Sequence, residues 1–393
     1  MTKAPNLNQD NILTKQKTMT KIRLSKSVVG DEEKQALARA IEAGYLGMGS
    51  EVQLFEEEIR QFLGTSNEVI CVNTGTAALH LALQAVGIGP GDEVLAPSLT
   101  YVATFQAISA TGAKAVACDV SLDRGFIDLD DAVKRLSPRT KAIVAVHYAS
   151  SSEGMQLVRD FAARHNLRVI EDAAHSFGCV RGQERIGAAG DITCFSFDGI
   201  KNITSGEGGA VVTGDPEVAR RIKDARLLGV EKDTDKRYAG QRSWTFDVTE
   251  QGWRYHMSNL MAAVGREQLK KLPRFAAIRR VRAQAYVDAL RGLSGLALLD
   301  IDYSQLVPHI FPVRILAGQR DRVFDALISA EIECGIHYQP NHLLSFYRTD
   351  YSLPNTELLH VELLSLPLHP DLTEADQERV ILGVKRVIEA CHV

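Results

Sequence analysis

From Glu68 onward, short runs of apolar residues alternate with longer segments in which apolar residues recur every three or four positions. The short runs predict strands with both faces covered, and the longer segments predict amphipathic helices. The predicted strands are EVICVN, DEVLAP, AKAVACDV, TKAIVAVHY and LRVIED, and the predicted helices are TAALHLALQAVG, TYVATFQAISATG, LDDAVKRLSP and EGMQLVRDFAARHN. Strands that alternate with helices predict an α/β fold with three layers around a mostly parallel sheet.

The pattern changes after the long polar loop GVEKDTDKRYAGQRSWTFDVTEQG. A long helical stretch follows, and Pro273 is expected to interrupt it. Beyond it, HIFPVRIL and IECGIHY predict strands, while QRDRVFDALISAE and TEADQERVILGVKRVIEACHV predict helices. We therefore expect a flexible extension over residues 1–20, a large α/β domain over residues 21–272 and a smaller α+β domain over residues 273–393.

Composition narrows the classes of protein to which this chain can belong. Its 393 residues are 45% hydrophobic and 24% charged, as in globular proteins, and no apolar run reaches the length of a membrane span. A net charge of -4 supplies no basic field for nucleic acid. The six cysteines lie far apart without a CxxC pair, which indicates reduced thiols, a cytoplasmic location and no metal site.

Sheets of this kind bind ligands outside the carboxyl ends of their strands, so the residues after each strand are the candidates for a site. The turn NTGTAALHL ends one strand and opens a helix. Its free amides and the helix dipole favour an anion, and Gly75 leaves room for a phosphate. Taken alone, the turn equally fits an ordinary helix start capped by Thr74 or Thr76.

Two further strand ends carry candidate chemistry. In RVIEDAAHSFG, Asp172 is suited to pair with a protonated ring nitrogen, and the small Ala174 leaves room for a flat ring. Alone, Asp172 also fits a helix cap beside a salt-bridged Glu171. In SFDGIKNITSGEGG, Lys201 stands among small residues, where burial would make its amine a nucleophile, although most lysines are simply exposed.

Pyridoxal 5'-phosphate (PLP) is the cofactor that requires a phosphate cradle, an acid for its ring nitrogen and a lysine for its aldehyde together. The three strand ends therefore predict a PLP site. The alternative takes GIGPGDE or SGEGGA as a dinucleotide-binding turn, but neither fits GxGxxG between a strand and its helix.

The chain also resembles the DegT/DnrJ/StrS nucleotide-sugar aminotransferases, which belong to fold type I of the PLP enzymes. The resemblance runs from about Ile22 to the end and rests on GTAALHLAL, GPGDEVLAPSLTYVAT, EDAAHSFG, SFDGIKNITSGEGGAVVT, RYHMSNLMAAVGREQLKKL, GIHYQPNHL and LLSLPLHPDLT, in matching order. It implies transfer of an amino group from L-glutamate to the keto group of a nucleotide-linked keto-deoxysugar, for amino-sugar biosynthesis such as that of lipopolysaccharide or antibiotic sugars. It also implies a homodimer with shared active sites.

The same resemblance assigns roles to single residues. Lys201 would bind the cofactor's aldehyde covalently and act as the base, and Asp172 would pair with the pyridine nitrogen. Tyr101 would stack on the ring, His175 would lie near the ring hydroxyl, and the amides of Thr76 and Ala77 would hold the phosphate with Ser196. The complete set of candidates for cofactor binding is Gly75, Thr76, Ala77, Tyr101, Asp172, Ala174, His175, Ser196, Lys201, Arg254, His256 and Asn259.

The chain departs from the family where the neighbouring subunit is expected to contact the phosphate. Many members carry Asn at the position of Arg254, so Arg254, His256 or Asn259 could supply this contact. Two alternative functions stay open: a PLP-dependent sugar dehydratase of the same family, and a PLP-binding regulator without turnover. The dehydratase branch carries His at the position of Lys201, so this lysine favours the aminotransferase.

Overall fold

The structure, a computed structural model, describes residues 20–391. The extension predicted for residues 1–20 lies outside this range except for Thr20. The helices are α1 (Asp31–Glu42), α2 (Ser50–Leu63), α3 (Gly75–Ala85), α4 (Val102–Ala110), α5 (Leu129–Arg135), α6 (Met155–His165), α7 (Pro216–Ala225), α8 (Asp233–Tyr238), α9 (Asn259–Leu290), α10 (Arg320–Ser329), α11 (Pro354–Glu362) and α12 (Glu374–Cys391).

A seven-stranded sheet forms the centre of the fold. Its strands are β1 (Glu68–Val72), β2 (Glu93–Pro97), β3 (Lys114–Cys118), β4 (Thr140–Val146), β5 (Arg168–Asp172), β8 (Ile192–Ser196) and β9 (Gly209–Thr213), and a hairpin of β6 (Val180–Arg181) and β7 (Glu184–Arg185) lies between β5 and β8. The order across the sheet is β1-β9-β8-β5-β4-β2-β3, and β9 runs antiparallel to both neighbours. The other strands run in one direction, so their carboxyl ends meet at one edge.

Alternate residues of the strands face opposite layers of helices. Val144 packs with the apolar side chains of α3, α4 and α7, whereas its neighbour Ile143 packs with those of α6. Cys71 and Phe195 face α2 and α9. Because successive side chains of a strand point to opposite faces, strands covered on both sides must be apolar throughout. The predicted three-layer arrangement is confirmed.

The interruption predicted at Pro273 is wrong, because α9 continues through this residue. A proline inside a helix costs about 3 kcal/mol or more. The helix buries Leu269 and Leu272 before Pro273, and Ala276 after it, in one core, which offsets this cost. Because α9 crosses the boundary expected between residues 272 and 273, both expected domains share it, and the division into domains stays a prediction.

The second sheet differs from its prediction in one strand. It consists of β10 (Leu296–Leu298), β11 (Phe311–Ile315) and β12 (Leu363–Leu366), which pair in this order. The segment IECGIHY is not a strand, since it forms only isolated bridges through Ile332 and Gly335. The edge of β11 that it would need is occupied by β12, a strand that the apolar pattern did not reveal.

Two further observations concern membrane-spanning helices and disulfides. No helix within residues 20–391 combines the length and apolarity needed to cross a membrane. Cys71, Cys118, Cys179, Cys194 and Cys334 form no disulfide.

Candidate active site

A cavity of about 430 Å³ opens at the carboxyl ends of β1, β4, β5 and β8. Parallel strands bring their last residues to this edge, so residues distant in sequence line one space. Eight of the twelve predicted cofactor-binding residues line the cavity: Gly75, Thr76, Tyr101, Asp172, Ala174, His175, Ser196 and Lys201. Ala77, Arg254, His256 and Asn259 are not among its lining residues.

One end of the cavity is formed by the start of α3 and the end of β8. Thr74 caps the helix, because its hydroxyl accepts a hydrogen bond from the Ala77 amide at 3.0 Å. The amides of Gly75 and Thr76 belong to the first turn, where a helix offers them no carbonyl partner. These two amides, not that of Ala77, are therefore placed to receive an anion beside the Ser196 hydroxyl.

Gly75 and Ser196 approach so closely that only glycine fits. A Cβ atom at position 75 would lie 2.8 Å from the Cβ and 3.0 Å from the Oγ of Ser196. Nonbonded carbon atoms rest at about 3.5–4.0 Å, so any larger residue would force the two segments apart. The missing side chain keeps the helix start and the serine hydroxyl on one small concave surface.

At the other end of the cavity, Asp172 is the last residue of β5 and is 6% exposed. Its Oδ2 accepts a hydrogen bond from the Thr104 hydroxyl at 2.8 Å, and its Oδ1 accepts one from the Ala174 amide at 3.3 Å. Burial raises the pKa of Asp172, whereas Thr104, Ala174 and the Lys201 amine oppose this rise. A cationic ring nitrogen beside it would stabilise the ionised carboxylate. Asp172 precedes a turn and not a helix, so the helix-cap alternative is wrong.

Glu171 points away from the cavity into a buried ionic network. Its carboxylate lies 2.8 Å from Arg159, 3.2 Å from Arg181 and 3.2 Å from His147. Burial alone would raise the pKa of Glu171, but these three partners hold it at about 2. The two adjacent acids therefore differ in environment because successive strand residues face opposite sides of the sheet.

Lys201 lies five residues after β8, in a loop closed by the hydrogen bond from the Phe197 amide to the Gly208 carbonyl at 2.8 Å. Its side chain is half-buried, so it is not an ordinary surface lysine. Burial lowers the pKa of Lys201 to about 8, against the opposing effect of Asp172 and Asp198. Near neutral pH the amine is still mostly protonated, but its unprotonated fraction is far larger than that of an ordinary lysine, which favours a nucleophile or base.

These features place a phosphate-sized cradle, a buried acid and a lysine of lowered pKa around one cavity. The sequence profile of the DegT/DnrJ/EryC1/StrS aminotransferase family matches residues 28–385. The chain belongs to this family.

Solved structures resemble the chain over almost its whole length. DesV of S. venezuelae is 35% identical with a TM-score of 0.83, covering 91% of this chain and 95% of that one. The aminotransferase TlmJ of Streptoalloteichus hindustanus is 30% identical with a TM-score of 0.86, covering 95% and 100%. A protein of Streptococcus pneumoniae, assigned as a sugar aminotransferase and solved in its PLP form, is 25% identical with a TM-score of 0.85, covering 94% and 99%. The predicted fold type I architecture and the predicted PLP-dependent aminotransferase are confirmed.

The residues of this aminotransferase fit PLP. The concave surface between Gly75 and Ser196 suits the phosphate, because its space is what a Cβ atom at position 75 would fill. The buried carboxylate of Asp172 suits a protonated pyridine nitrogen. The small Ala174 lies between the two ends, and Lys201 lines the same cavity. None of these five residues conflicts with the binding of PLP.

One of the candidates for contact with the cofactor ring, His175, contacts the hydroxyl of Tyr338. His175 Nε2 lies 2.9 Å from the Tyr338 hydroxyl, and burial lowers the pKa of His175 well below its ordinary value. Tyr101, at the start of α4, is 61% exposed, and its ring centroid lies 5.8 Å from that of Tyr338. His175 is therefore a neutral group held by Tyr338.

The cavity residues of the aminotransferase that were not predicted include His309, His337 and Tyr338. His337 and Tyr338 fall in GIHYQPNHL, one of the segments that carry the family resemblance, so the sequence did hold a signal for them. No local pattern marked His309. Tyr148, which is not among the lining residues, is buried and donates a hydrogen bond to the His337 carbonyl at 2.6 Å.

The three candidates for the contact between subunits differ in how free their side chains are. Asn259 is buried at the start of α9, where its side chain donates to the Tyr45 carbonyl at 2.8 Å. His256 is half-buried, and burial together with Arg254 and Arg226 lowers its pKa to about 4. Arg254 is exposed, and its guanidinium has no hydrogen bond or ion pair within residues 20–391.

Proposed function

We propose that this aminotransferase moves the amino group of L-glutamate to the keto carbon of a nucleotide-linked keto-deoxysugar, in the cytoplasm, as a step of amino-sugar biosynthesis. The observation that carries the proposal is one cavity shared by the Lys201 amine, the buried Asp172 carboxylate and the Gly75–Ser196 cradle. Membership of the family and a relative assigned as a sugar aminotransferase support the substrate class.

Bound PLP would supply an electron-accepting ring and an aldehyde that exchanges amino groups. Asp172 would keep the ring nitrogen protonated, because a buried carboxylate favours a cation beside it. The Gly75 and Thr76 amides and the Ser196 hydroxyl would hold the phosphate. Lys201 Nζ would take the proton from the α-carbon of glutamate and, in the second half of the reaction, deliver a proton to the sugar carbon that receives the amine.

The two alternatives of the sequence analysis are less well supported. A dehydratase of this family would carry His in place of Lys201. A regulator without turnover would not need an amine whose pKa is lowered to about 8 by burial in the cofactor cavity. Perturbed pKa values of this kind concentrate at catalytic sites.

Lys201 is the only lysine or arginine of residues 20–391 on the cavity wall, which leaves few cations for the carboxylates of glutamate and the phosphates of a nucleotide. Asp198 and Glu207 add two carboxylates to this wall. Anionic substrates therefore require positive charge from elsewhere. We propose that a second copy of the chain supplies it, with Arg254 as the residue that reaches the neighbour's cofactor phosphate, since its planar fork suits phosphate oxygens.

The polar loop that precedes Arg254 in the chain exposes two large apolar side chains. Trp244 is 89% exposed and Phe246 is 57% exposed. Large apolar side chains that are exposed next to each other mark surfaces that bind other proteins. A homodimer that covers this loop would bury these side chains and bring Arg254 against the partner.

The amino donor can be tested without any sugar. When the PLP-loaded protein is mixed with L-glutamate alone, the yellow absorbance should disappear, because one cofactor alternates between aldehyde and amine forms. D-Glutamate and L-aspartate serve as controls for chirality and chain length, and the Lys201→Ala protein serves as the control for the base. A panel of nucleotide keto-sugars added next should restore the yellow form for the true acceptor. If the spectrum changes only when both substrates are present, the proposed two-step transfer is wrong.

Mixed dimers test whether the sites are shared. Arg254→Ala should weaken cofactor binding at least tenfold, since a hydrogen bond to a charged group contributes about 1.5–3 kcal/mol. Lys201→Ala removes the base. If Arg254 serves the partner, a dimer of one chain of each kind carries both lesions in one site and leaves the other intact, so activity should return to about half of wild type.

Two affinity tags allow the mixed dimer to be isolated, and Arg291→Ala, at an exposed residue beyond α9, serves as the control arginine variant. Mixed dimers that are confirmed as mixed and remain inactive would place Arg254 in the site of its own chain. A monomer that is fully active would contradict the shared site altogether.

A further inference from the structure

The Lys201 amine has one neighbour whose position suits a specific task. Its Nζ lies 3.3 Å from Nε2 of His309, a residue that is 108 positions away in the chain and 4% exposed. We propose that His309 is a positioning residue that orients the Lys201 amine by accepting a hydrogen bond from it. This inference rests on the proposed function, in which Lys201 is the base.

His309 is held firmly through its backbone. Its amide donates a hydrogen bond to the Ser150 hydroxyl at 2.9 Å. Its carbonyl and that of Pro308 accept hydrogen bonds from the buried guanidinium of Arg279, at 3.3 Å and 3.1 Å. These hydrogen bonds to the amide and the carbonyl fix the backbone position of His309. The ring can therefore act as a rigid support for a flexible lysine side chain.

The charges around the pair determine the direction of the hydrogen bond. Burial lowers the pKa of His309 well below its ordinary value, and Lys201, His175, Arg279 and His337 add to this effect. The imidazole is therefore neutral. Below a pH of about 8, Lys201 is mostly charged and can only donate hydrogen bonds. Nε2 must then accept, and the ring proton must be on Nδ1.

No other contact sets this tautomer. Nδ1 of His309 has no hydrogen-bond partner in the part of the chain that the structure describes. A second buried imidazole, His175, has its ring centroid 4.4 Å from that of His309, with the two planes tilted by 50°, but its Nε2 lies beside the Tyr338 hydroxyl. The protonation pattern of a histidine follows the partners of its two nitrogens, so Lys201 decides which one carries the proton.

The consequence concerns the direction of the lysine lone pair. When the amine is neutral, one N–H points to His309, so the lone pair is confined to the two remaining positions on the nitrogen instead of three. A base must be oriented toward the proton it removes, and a freely rotating amine would spend most of its time misdirected. His309 restricts that rotation.

The proposal can be tested by measuring the pKa of Lys201 in the cofactor-free protein. Competitive labelling with acetic anhydride at a series of pH values gives this pKa. Asp172, Asp198, His175, His309 and His337 are the titratable groups around the amine, and only position 309 is changed. The His309→Leu protein loses the acceptor for the charged amine, so the pKa of Lys201 should fall by about one unit, or about 1.4 kcal/mol. In the His309→Asn protein, the amide oxygen can accept in its place, and the fall should be smaller.

Lys114, whose side chain is 73% exposed, serves as the reference lysine in the same sample. If both variants unfold at the wild-type temperature and the pKa of Lys201 is unchanged in both, the proposal is wrong. If the leucine variant does not fold, nitrogen NMR of the wild-type histidines decides: the His309 proton should be on Nδ1, and a proton on Nε2 would overturn the proposal.

Failure of this proposal can be told apart from failure of the proposed function. Borohydride reduction of the PLP-loaded proteins should fix the cofactor to the peptide that contains Lys201 in wild type and in both variants. Fixation at Lys201 with an unchanged Lys201 pKa would reject only the role of His309. No fixation at Lys201 in the wild-type protein would reject the proposed function itself.

Discussion

Replacing Lys201 with alanine is expected to lower turnover by about 10⁴-fold, at the upper end of what a single acid–base group contributes. Lys201 is the only lysine on the cavity wall within residues 20–391, so no other amine there can take its place as the base. The loss should appear in single-turnover measurements with L-glutamate, because the missing step is proton removal and not substrate binding.

Two controls make the Lys201 result specific. Lys201→Arg keeps the positive charge but has no unprotonated form near neutral pH, so it should be as inactive as the alanine variant. Lys114→Ala, at an exposed position, should retain full activity. Borohydride should fix the cofactor to wild type and not to the alanine variant. Cofactor found on a different lysine of the wild-type protein would show that Lys201 has been misassigned.

Replacing Asp172 with asparagine is expected to lower turnover by at least about 100-fold, or about 2.7 kcal/mol for a change of two pKa units at the ring nitrogen. Asparagine keeps the shape of the side chain but cannot stabilise a cation as a carboxylate does. Because burial raises the pKa of Asp172, the neutral amide should leave the cofactor-free protein at least as stable. Turnover and thermal unfolding measured on the same preparations separate the two effects.

Thr104→Val is the matched control for this variant. It removes the hydroxyl that donates to Asp172 at 2.8 Å while leaving the carboxylate in place. The expected loss of turnover is about tenfold, the lower end for a hydrogen bond to a charged group. Near-wild-type turnover in the Asp172→Asn protein would mean that the carboxylate only closes the turn to Ala174.

Much of the fold followed from local pattern alone. Apolar runs separated by helical periods predicted the five strands β1 to β5 and the helices between them, because strands covered on both faces can contain few polar residues. The same reasoning missed β12 and wrongly assigned a strand to IECGIHY. Both segments carry apolar residues, and only the competition for the edge of β11 decides which one pairs.

The sequence also determined the centre of the candidate site. Asp172 and Ser196 end strands, and Gly75 and Lys201 follow strand ends closely, so a parallel sheet must bring them to one edge whatever the details of packing. Their chemical types then limited the choice of cofactor. For these residues, position along the chain and position in space are linked by the regular geometry of the sheet.

Tertiary structure alone decided the rest. His309 reaches Lys201 from 108 residues further along the chain through irregular backbone, for which sequence periodicity gives no signal. The lowered pKa of Lys201 depends first on burial, and burial is a property of the assembled fold. The Ala77 amide is engaged by Thr74, and Asn259 is bound by Tyr45, because hydrogen-bond partners are chosen by distance and angle and not by order in the chain.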